Sequence, residues 1–348
     1  MATKTANAAP ALSFPRPIFA ALSPHPFLQA HLSSQGQAKP PRANGRTAAD
    51  FRTPSIKTGA LTHCHGSAVV RVGGTSVVCG VRGEILRGED VQTADVEVSA
   101  GNGEGDDTAE ISGLRLLVPN VELSTGSTPL HIPGNAPSGY AQTLVTRLRS
   151  LLLSTRLIRA RDLRILYTPP GVADEMEEED SVPEVEIKGY WVLYIDTVFI
   201  SLDGNALDAA WIAILAALAS TRLPKAYFDE ELEIVVCSDT PSEAQKLELR
   251  GLPIPSTFAV FEGQFEQEGE EYDGEESWVL NDPDAFEESV CREMVCVVVD
   301  GSEGMNKMAV KRIEKSGGGV VGKDIMKVLV KRSAERWQIV QGVLKEVE

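Results

Sequence analysis

His63-Cys64-His65 places two imidazoles and a thiol within three residues. On a strand, alternation puts His63 and His65 on one face and Cys64 on the other. Two histidines make an incomplete metal site, and no second ligand pair has zinc spacing. A Cys–His nucleophile needs its base within hydrogen-bond reach, which opposite faces do not favour. The motif therefore reads as a packed strand entry. Gly317 to Lys323 fits Gly-x4-Gly-Lys, but a phosphate-cradling loop needs Ser or Thr after the lysine for magnesium. Asp324 stands there instead and repels phosphate, so this stretch reads as a turn into a helix. Cys291 and Cys296 have no partner cysteine or histidine nearby and read as core residues. No catalytic residue, metal ligand or cofactor site is expected from these motifs.

The remaining candidate is a basic stretch, Arg147, Arg149, Arg156, Arg159 and Arg161. It reads either as a solvated helix face or as a patch that contacts phosphates. No aromatic residues are interleaved with it, so base stacking is not indicated and any contact would be to the sugar–phosphate backbone. Arg147 and Arg149 lie two positions apart, roughly 200° around a helix, and cannot face the same way.

The elements that must position these residues follow from composition and periodicity. The 348 residues correspond, at roughly 150 per domain, to about two domains. With 43% apolar residues the chain can build a core, which excludes a wholly disordered or fibrous protein. The longest apolar stretch, Ala209 to Ala219, is 11 residues. Roughly 18 are needed to cross a bilayer, so no membrane span is expected. Proline and serine interrupt the N-terminal apolar residues, so no signal peptide is read. Five scattered cysteines give no disulfide framework and suit a reducing compartment. The net charge of −17 is concentrated in segments 101–110, 174–186 and 262–276, which hold 20 acidic residues and no base. Set against −17, this leaves the remainder at +3, so whole-chain acidity does not exclude RNA as a partner.

Residues 1–50 are rich in Pro, Ala and Ser and read as a mostly flexible arm, with Pro26 to Leu32 able to form a short docked helix. Ala68–Val72 and Thr75–Cys79 flank Gly73-Gly74, the pattern of a two-residue hairpin. Val91–Val98 alternates as a strand, Ser99–Glu110 is an acidic loop, and Ile111–Val118 resumes as strand. Ser138 caps a helix running to Ser154, with Leu144, Leu148, Leu151 and Leu152 on one stripe. Leu163–Tyr167 and Trp191–Leu202 are strands joined by an acidic hairpin loop at 174–186, the second apolar on both faces and hence central. Asp203-Gly204-Asn205 turns into a buried helix, Ala206–Leu218, whose conspicuous charge is Asp208. Further strands follow at Leu232–Cys237, Ser256–Phe261, Trp278–Leu280, Val295–Val299 and Met308–Ile313, with an acidic loop at 262–276, and Lys323–Val347 is a closing amphipathic helix. The rhythm of several strands, then one long helix, recurs. It divides the chain into halves at 51–224 and 225–348, two packed α+β layers with acidic inserts at 99–110, 174–186 and 262–276.

A family resemblance rests on the combination of motifs. Phe51-Arg52, Ile56 to Leu61, and His65 to Val81 resemble the opening of the RNase PH-like family. Val118 to Ser124 is similar to its next strand, and Trp191 to Asp196 followed by Leu202 to Ala210 to its signature strand–turn–helix. Within that family the set is most similar to ring subunits of the eukaryotic RNA exosome. The resemblance spans about residues 26–345, apart from the acidic inserts. It implies an α+β, RNase PH-like fold (ribosomal protein S5 domain 2-like) of two packed βαβα-type halves. It implies a six-subunit ring of related chains around an RNA channel, with S1- and KH-type cap proteins on one side and a hydrolytic nuclease on the other. A setting in nucleus, nucleolus and cytoplasm comes with that resemblance.

Phosphorolytic members of the family carry Gly-Thr-Arg after the Asp-Gly of the signature turn, where glycine and arginine bind the attacking phosphate. This chain has Asn205-Ala206-Leu207. Those members also carry carboxylates after a late Glu-Glu pair, whereas Glu287-Glu288 is followed here by Ser289, and the next expected position, near Met294 or Val295, is not acidic. Asp282 and Asp284 read as a turn motif. Arg149 matches an arginine that active members use at the phosphate site, so it is the expected channel-side residue, and Arg147 the one turned to the body or a neighbour. The implied function is a non-catalytic ring subunit supporting 3′-to-5′ RNA processing. The alternatives are an active phosphorolytic exoribonuclease, against which Leu207 argues, and an RNase PH-like RNA-binding protein outside the ring.

Overall fold

The computed structural model describes residues 15–33, 41–91, 106–128, 131–132, 136–169, 185–263, 277–302, 304 and 307–347. Two sheets sandwich one helix. The first sheet holds β1 (Pro54–Thr58), β2 (Gly66–Val72), β3 (Thr75–Arg87), β4 (Leu117–Leu123), β5 (Arg164–Tyr167) and β6 (Glu186–Ser201). Its order is β1-β2-β3-β6-β4, with β5 also paired to β6. All pairs are antiparallel except β4 with β6. The second sheet is antiparallel, in the order β12 (Ser277–Asn281), β11 (Ile254–Glu262), β13 (Glu293–Asp300), β14 (Ala309–Ser316). Two small ladders join β7 (Arg222–Leu223) to β10 (Gln245–Lys246) and β8 (Ala226–Asp229) to β9 (Ile234–Cys237).

The central helix α5 (Ala206–Ala219) touches β2 and β3 on one side and β11 on the other. Every residue from Ala206 to Leu218 is buried. That is why its sequence lacks a polar stripe. Trp211 is fully enclosed, and its Nε1 donates to the Pro253 carbonyl at 2.6 Å, which satisfies the indole that burial removes from water. Helix α4 (Gly139–Thr155) packs on β4, capped by Ser138, whose side chain accepts from the Ala141 N–H. The closing helix α7 (Lys323–Lys345) covers β11 and β13. The Gly73-Gly74 turn is present, with Val72 opposite Thr75 and Gly73 at φ +59.

Several local expectations are corrected. Strand β6 is buried on one face only. Leu193, Ile195 and Phe199 face the core while Asp196 and Ile200 are exposed, because helices cover one side of the first sheet. The loop expected to Glu110 and the strand expected from Ile111 are replaced by helix α3 (Asp106–Gly113). Glu110 is buried there, accepting from Arg164, and Ile111 enters the core. The strand expected at 91–98, and most of the inserts at 99–110, 174–186 and 262–276, lie outside the described residues.

Much of the segment expected as a flexible arm is docked. Helices α1 (Arg16–Leu22) and α2 (Pro24–Leu32) lie against the second half, and Phe27, Leu28 and Leu32 are buried. Leu28 and Leu32, one turn apart, pack with Ala259, Phe261, Leu280 and Cys291. Arg42 is fully buried, donating to the Glu287 carboxylate and to the Asn281 and Asp282 carbonyls of the second half.

Candidate functional site

At the turn before α5 the two halves approach closely. Gly204 has φ +70, and a Cβ there would fall 2.4 Å from the Asp284 carbonyl carbon and 2.6 Å from the Ala285 nitrogen. Only glycine fits both the left-handed conformation and that contact. Asn205 follows at φ +52, a conformation that asparagine tolerates better than most residues. Thr75 staples the turn, its hydroxyl donating to the Gly204 carbonyl at 3.1 Å and accepting from the Asp203 N–H at 2.9 Å.

A buried charge network surrounds the start of α5. Asp208 accepts from the Thr257 hydroxyl at 2.7 Å, from the Thr257 N–H at 3.0 Å and from Arg336. The Arg336 guanidinium also stacks 4.8 Å above the Phe51 ring. Asp282 accepts from Arg52 Nε and Nη2, each at 2.8 Å, from the Arg52 N–H at 2.9 Å, and from Asn205 at 2.6 Å. Burial alone would raise the Asp282 carboxyl, but the Arg52 hydrogen bonds, with the charge of Arg336, hold it well below the usual range. Arg42 Nε donates to Glu287 at 2.6 Å, and the pair is fully buried. Asp284 caps α6 (Ala285–Val290) in a reciprocal box with Glu287. These residues join the halves.

Beside this network lies a cleft of about 230 Å³, lined among others by Tyr140, Arg147, Leu207, Glu288, Met294 and Glu314. It is where an anion could meet the N-terminus of α5, and the chain fills the position itself. Glu288 accepts from the Asn205 N–H at 2.8 Å. Burial pushes Glu288 up to about 7, partly offset by that hydrogen bond. A carboxylate at this spot competes with any incoming phosphate for the donor and repels it. Leu207 is buried, Ser289 only donates to the Phe286 carbonyl, and Met294 and Val295 supply no acid. The arrangement has neither a cluster of phosphate donors nor a free pair of carboxylates for proton transfer.

The two arginines separate as helical geometry requires, with Arg147 on the cleft. Arg147 lines it, and its Nε lies 2.8 Å from Glu314 in an ion pair without hydrogen-bond alignment. Arg149 stands outside the cleft on the exposed face of α4. Arg149 thus points to solvent, and Arg147 turns to the body of the chain through Glu314.

The other motifs resolve into structural roles. Residues 62–65 form a turn and bend rather than a strand, and His65 Nδ1 accepts from the Gly83 N–H at 2.9 Å. Burial lowers the His65 ring below its ordinary value. Gly319 N–H donates to Glu293 at 2.5 Å, so the glycine-rich loop carries a carboxylate of its own chain. Burial pushes the Cys291 and Cys296 thiols up to about 12, the mark of inert core cysteines. No group of three or more metal-ligating side chains occurs among the described residues. Sequence reasoning missed Asp282, Glu287, Glu288 and Arg52 as the junction, because their partners lie up to about 250 residues away.

Residues 50–224 match the RNase PH family described as "3′ exoribonuclease family, domain 1". The chain is 29% identical over 307 residues to the Schizosaccharomyces pombe protein named exosome complex component rrp43, covering 88% of this chain and 91% of that protein. It is 26% identical over 259 residues to exosome complex component Rrp42 of Thermococcus gammatolerans, covering 74% of each. Among solved structures it resembles a chain of the Archaeoglobus fulgidus exosome with RNA bound to the active site. That likeness has a TM-score of 0.61 at 20% identity, covering 91% of this chain and 96% of that one. It establishes the fold.

Proposed function

The chain belongs to the RNase PH family of 3′ exoribonucleases, and from that premise we propose that it is a ring subunit of an RNA exosome that performs no phosphorolysis itself. The similarity to proteins named exosome components, over 88% of this chain in one case and 74% in another, supports the ring assignment. The observation that carries the non-catalytic reading is the bond from the Asn205 N–H to Glu288 beside a buried Leu207. The chain closes its own anion position with a carboxylate. In this reading the subunit stands beside other RNase PH-like subunits, with S1- and KH-type cap proteins and a hydrolytic nuclease joining through the assembly. RNA passes through the ring channel, in nucleus, nucleolus and cytoplasm, during 3′-to-5′ processing and turnover, including ribosomal RNA maturation. The test is incubation of the purified chain with inorganic phosphate and single-stranded RNA. The expected result is no release of nucleoside diphosphate. Phosphate-dependent trimming that is abolished by Arg147→Ala would overturn the non-catalytic reading.

A further inference from the structure

The opposite end of α5 carries the reverse pattern of charge. The chain leaves the helix at Thr221, whose carbonyl accepts from the Leu247 N–H at 3.0 Å, and enters the β7–β10 ladder. In that ladder Arg222 lies directly across from Lys246. Like charges directly opposite on paired strands repel. The ladder is nevertheless anchored, because Leu223 and Leu247 are buried and the Arg222 N–H donates to the His65 carbonyl at 2.9 Å. Lys225 follows two residues after the ladder, also exposed. Among the described residues no carboxylate is in ion-pair contact with Arg222, Lys225 or Lys246. Among the described residues Arg161 pairs with its own neighbour, Asp162, at 3.5 Å. Arg161, Lys225 and Lys246 line one cleft of about 740 Å³, within the range of ligand sites, where Asp162 and Glu248 are the acids. Arg222 stands across the ladder from it.

On a chain of net charge −17, three exposed cations with no ion-pair partner among the described residues form a local positive surface that suits an external polyanion. We infer that the β7–β10 ladder and the cleft beside it, through Arg222, Lys225, Lys246 and Arg161, bind the phosphate backbone of single-stranded RNA. This surface is separate from the cleft at Glu288, and the inference rests on the reading that the chain works on RNA. Spacing favours a polymer, because the cations follow a ladder and a cleft rim rather than converging on one point.

The test uses the full chain and an oligouridylate probe, with binding measured by fluorescence anisotropy across a salt series. The triple variant Arg222→Ser, Lys225→Ser, Lys246→Ser should bind at least ~10-fold more weakly at low salt. Its salt slope should fall by about 2, at roughly 0.7 per lost phosphate contact on a single strand. An equally charged control, Lys323→Ser, Lys327→Ser and Lys331→Ser on the exposed face of α7, should retain affinity, and no variant should melt below the unaltered chain. Inorganic phosphate at matched ionic strength should leave the RNA bound. Unchanged affinity and slope in the triple variant overturn the proposal, as does an equal loss in the control, or displacement of the RNA by free phosphate. A triple variant that keeps RNA binding but no longer co-purifies with related subunits also overturns it, assigning these cations to an acidic protein neighbour. Co-purification of the unaltered chain is scored separately, so failure of the ring assignment is distinguishable from failure of this site.

Discussion

The two ends of α5 differ in how their charges are used. At the N-terminal end Asp208, Asp282 and Glu287 are buried against Arg336, Arg52 and Arg42, and Glu288 takes the Asn205 N–H. At the C-terminal end Arg222 and Lys246 face each other in solvent, and among the described residues no carboxylate forms an ion pair with either. Burial explains the difference. A charge removed from water must be paired, whereas an exposed one can wait for a partner. The first end therefore reads as a joint between the halves and the second as a surface. At the first end the chain's own Glu288 occupies the Asn205 N–H beside the cleft.

That contrast predicts a graded series of effects. Asp208→Ala should be the most damaging, because it leaves Arg336 buried without its counterion. The expected loss is about 3–5 kcal/mol in chemical denaturation, enough to deplete soluble protein. A loss below about 1 kcal/mol would show that the joint is not structural. Glu288 should give a pH signature. Its folded value of about 7 lies above the ordinary 4.5. Its stabilising contribution is therefore fully present below about 4.5 and is lost as pH rises through about 7. Glu288→Gln should consequently gain stability relative to the unaltered chain between pH 5 and pH 8, by about 1–3 kcal/mol. A pH-independent difference would place the carboxylate in water. Arg147→Ala should have the smallest effect. Its pair with Glu314 is about one-third exposed on both sides and should contribute less than about 1 kcal/mol to the melting transition.

The sequence made the local pattern legible and the joint illegible, for a physical reason. The Gly73-Gly74 hairpin, the Ser138-capped α4 and the apolar α5 are written in adjacent residues, and each is present. Helix α3 was hidden because its acidic composition resembles a loop, and Glu110 becomes helical and buried through Arg164, 54 positions away. Arg42 sits in a Pro-rich stretch that reads as an arm, yet Glu287, 245 positions later, draws it into the core. Asp282 looks like part of a turn, and the residue does have φ +49. Its role as acceptor for Arg52 and Asn205 depends on the packing of one half on the other. At the candidate site, the absence of the arginine at Leu207 could be read directly. That Glu288 fills the position, and that Arg147 rather than Arg149 lines the cleft, follow from three-dimensional placement.

The central claim is membership of an exosome ring, and affinity purification of the full chain under native conditions tests it most directly. The account predicts recovery in stoichiometric amounts with related RNase PH-like subunits, in one assembly that also retains RNA. Recovery of the chain as a stable monomer, with no RNase PH-like partner, would contradict it.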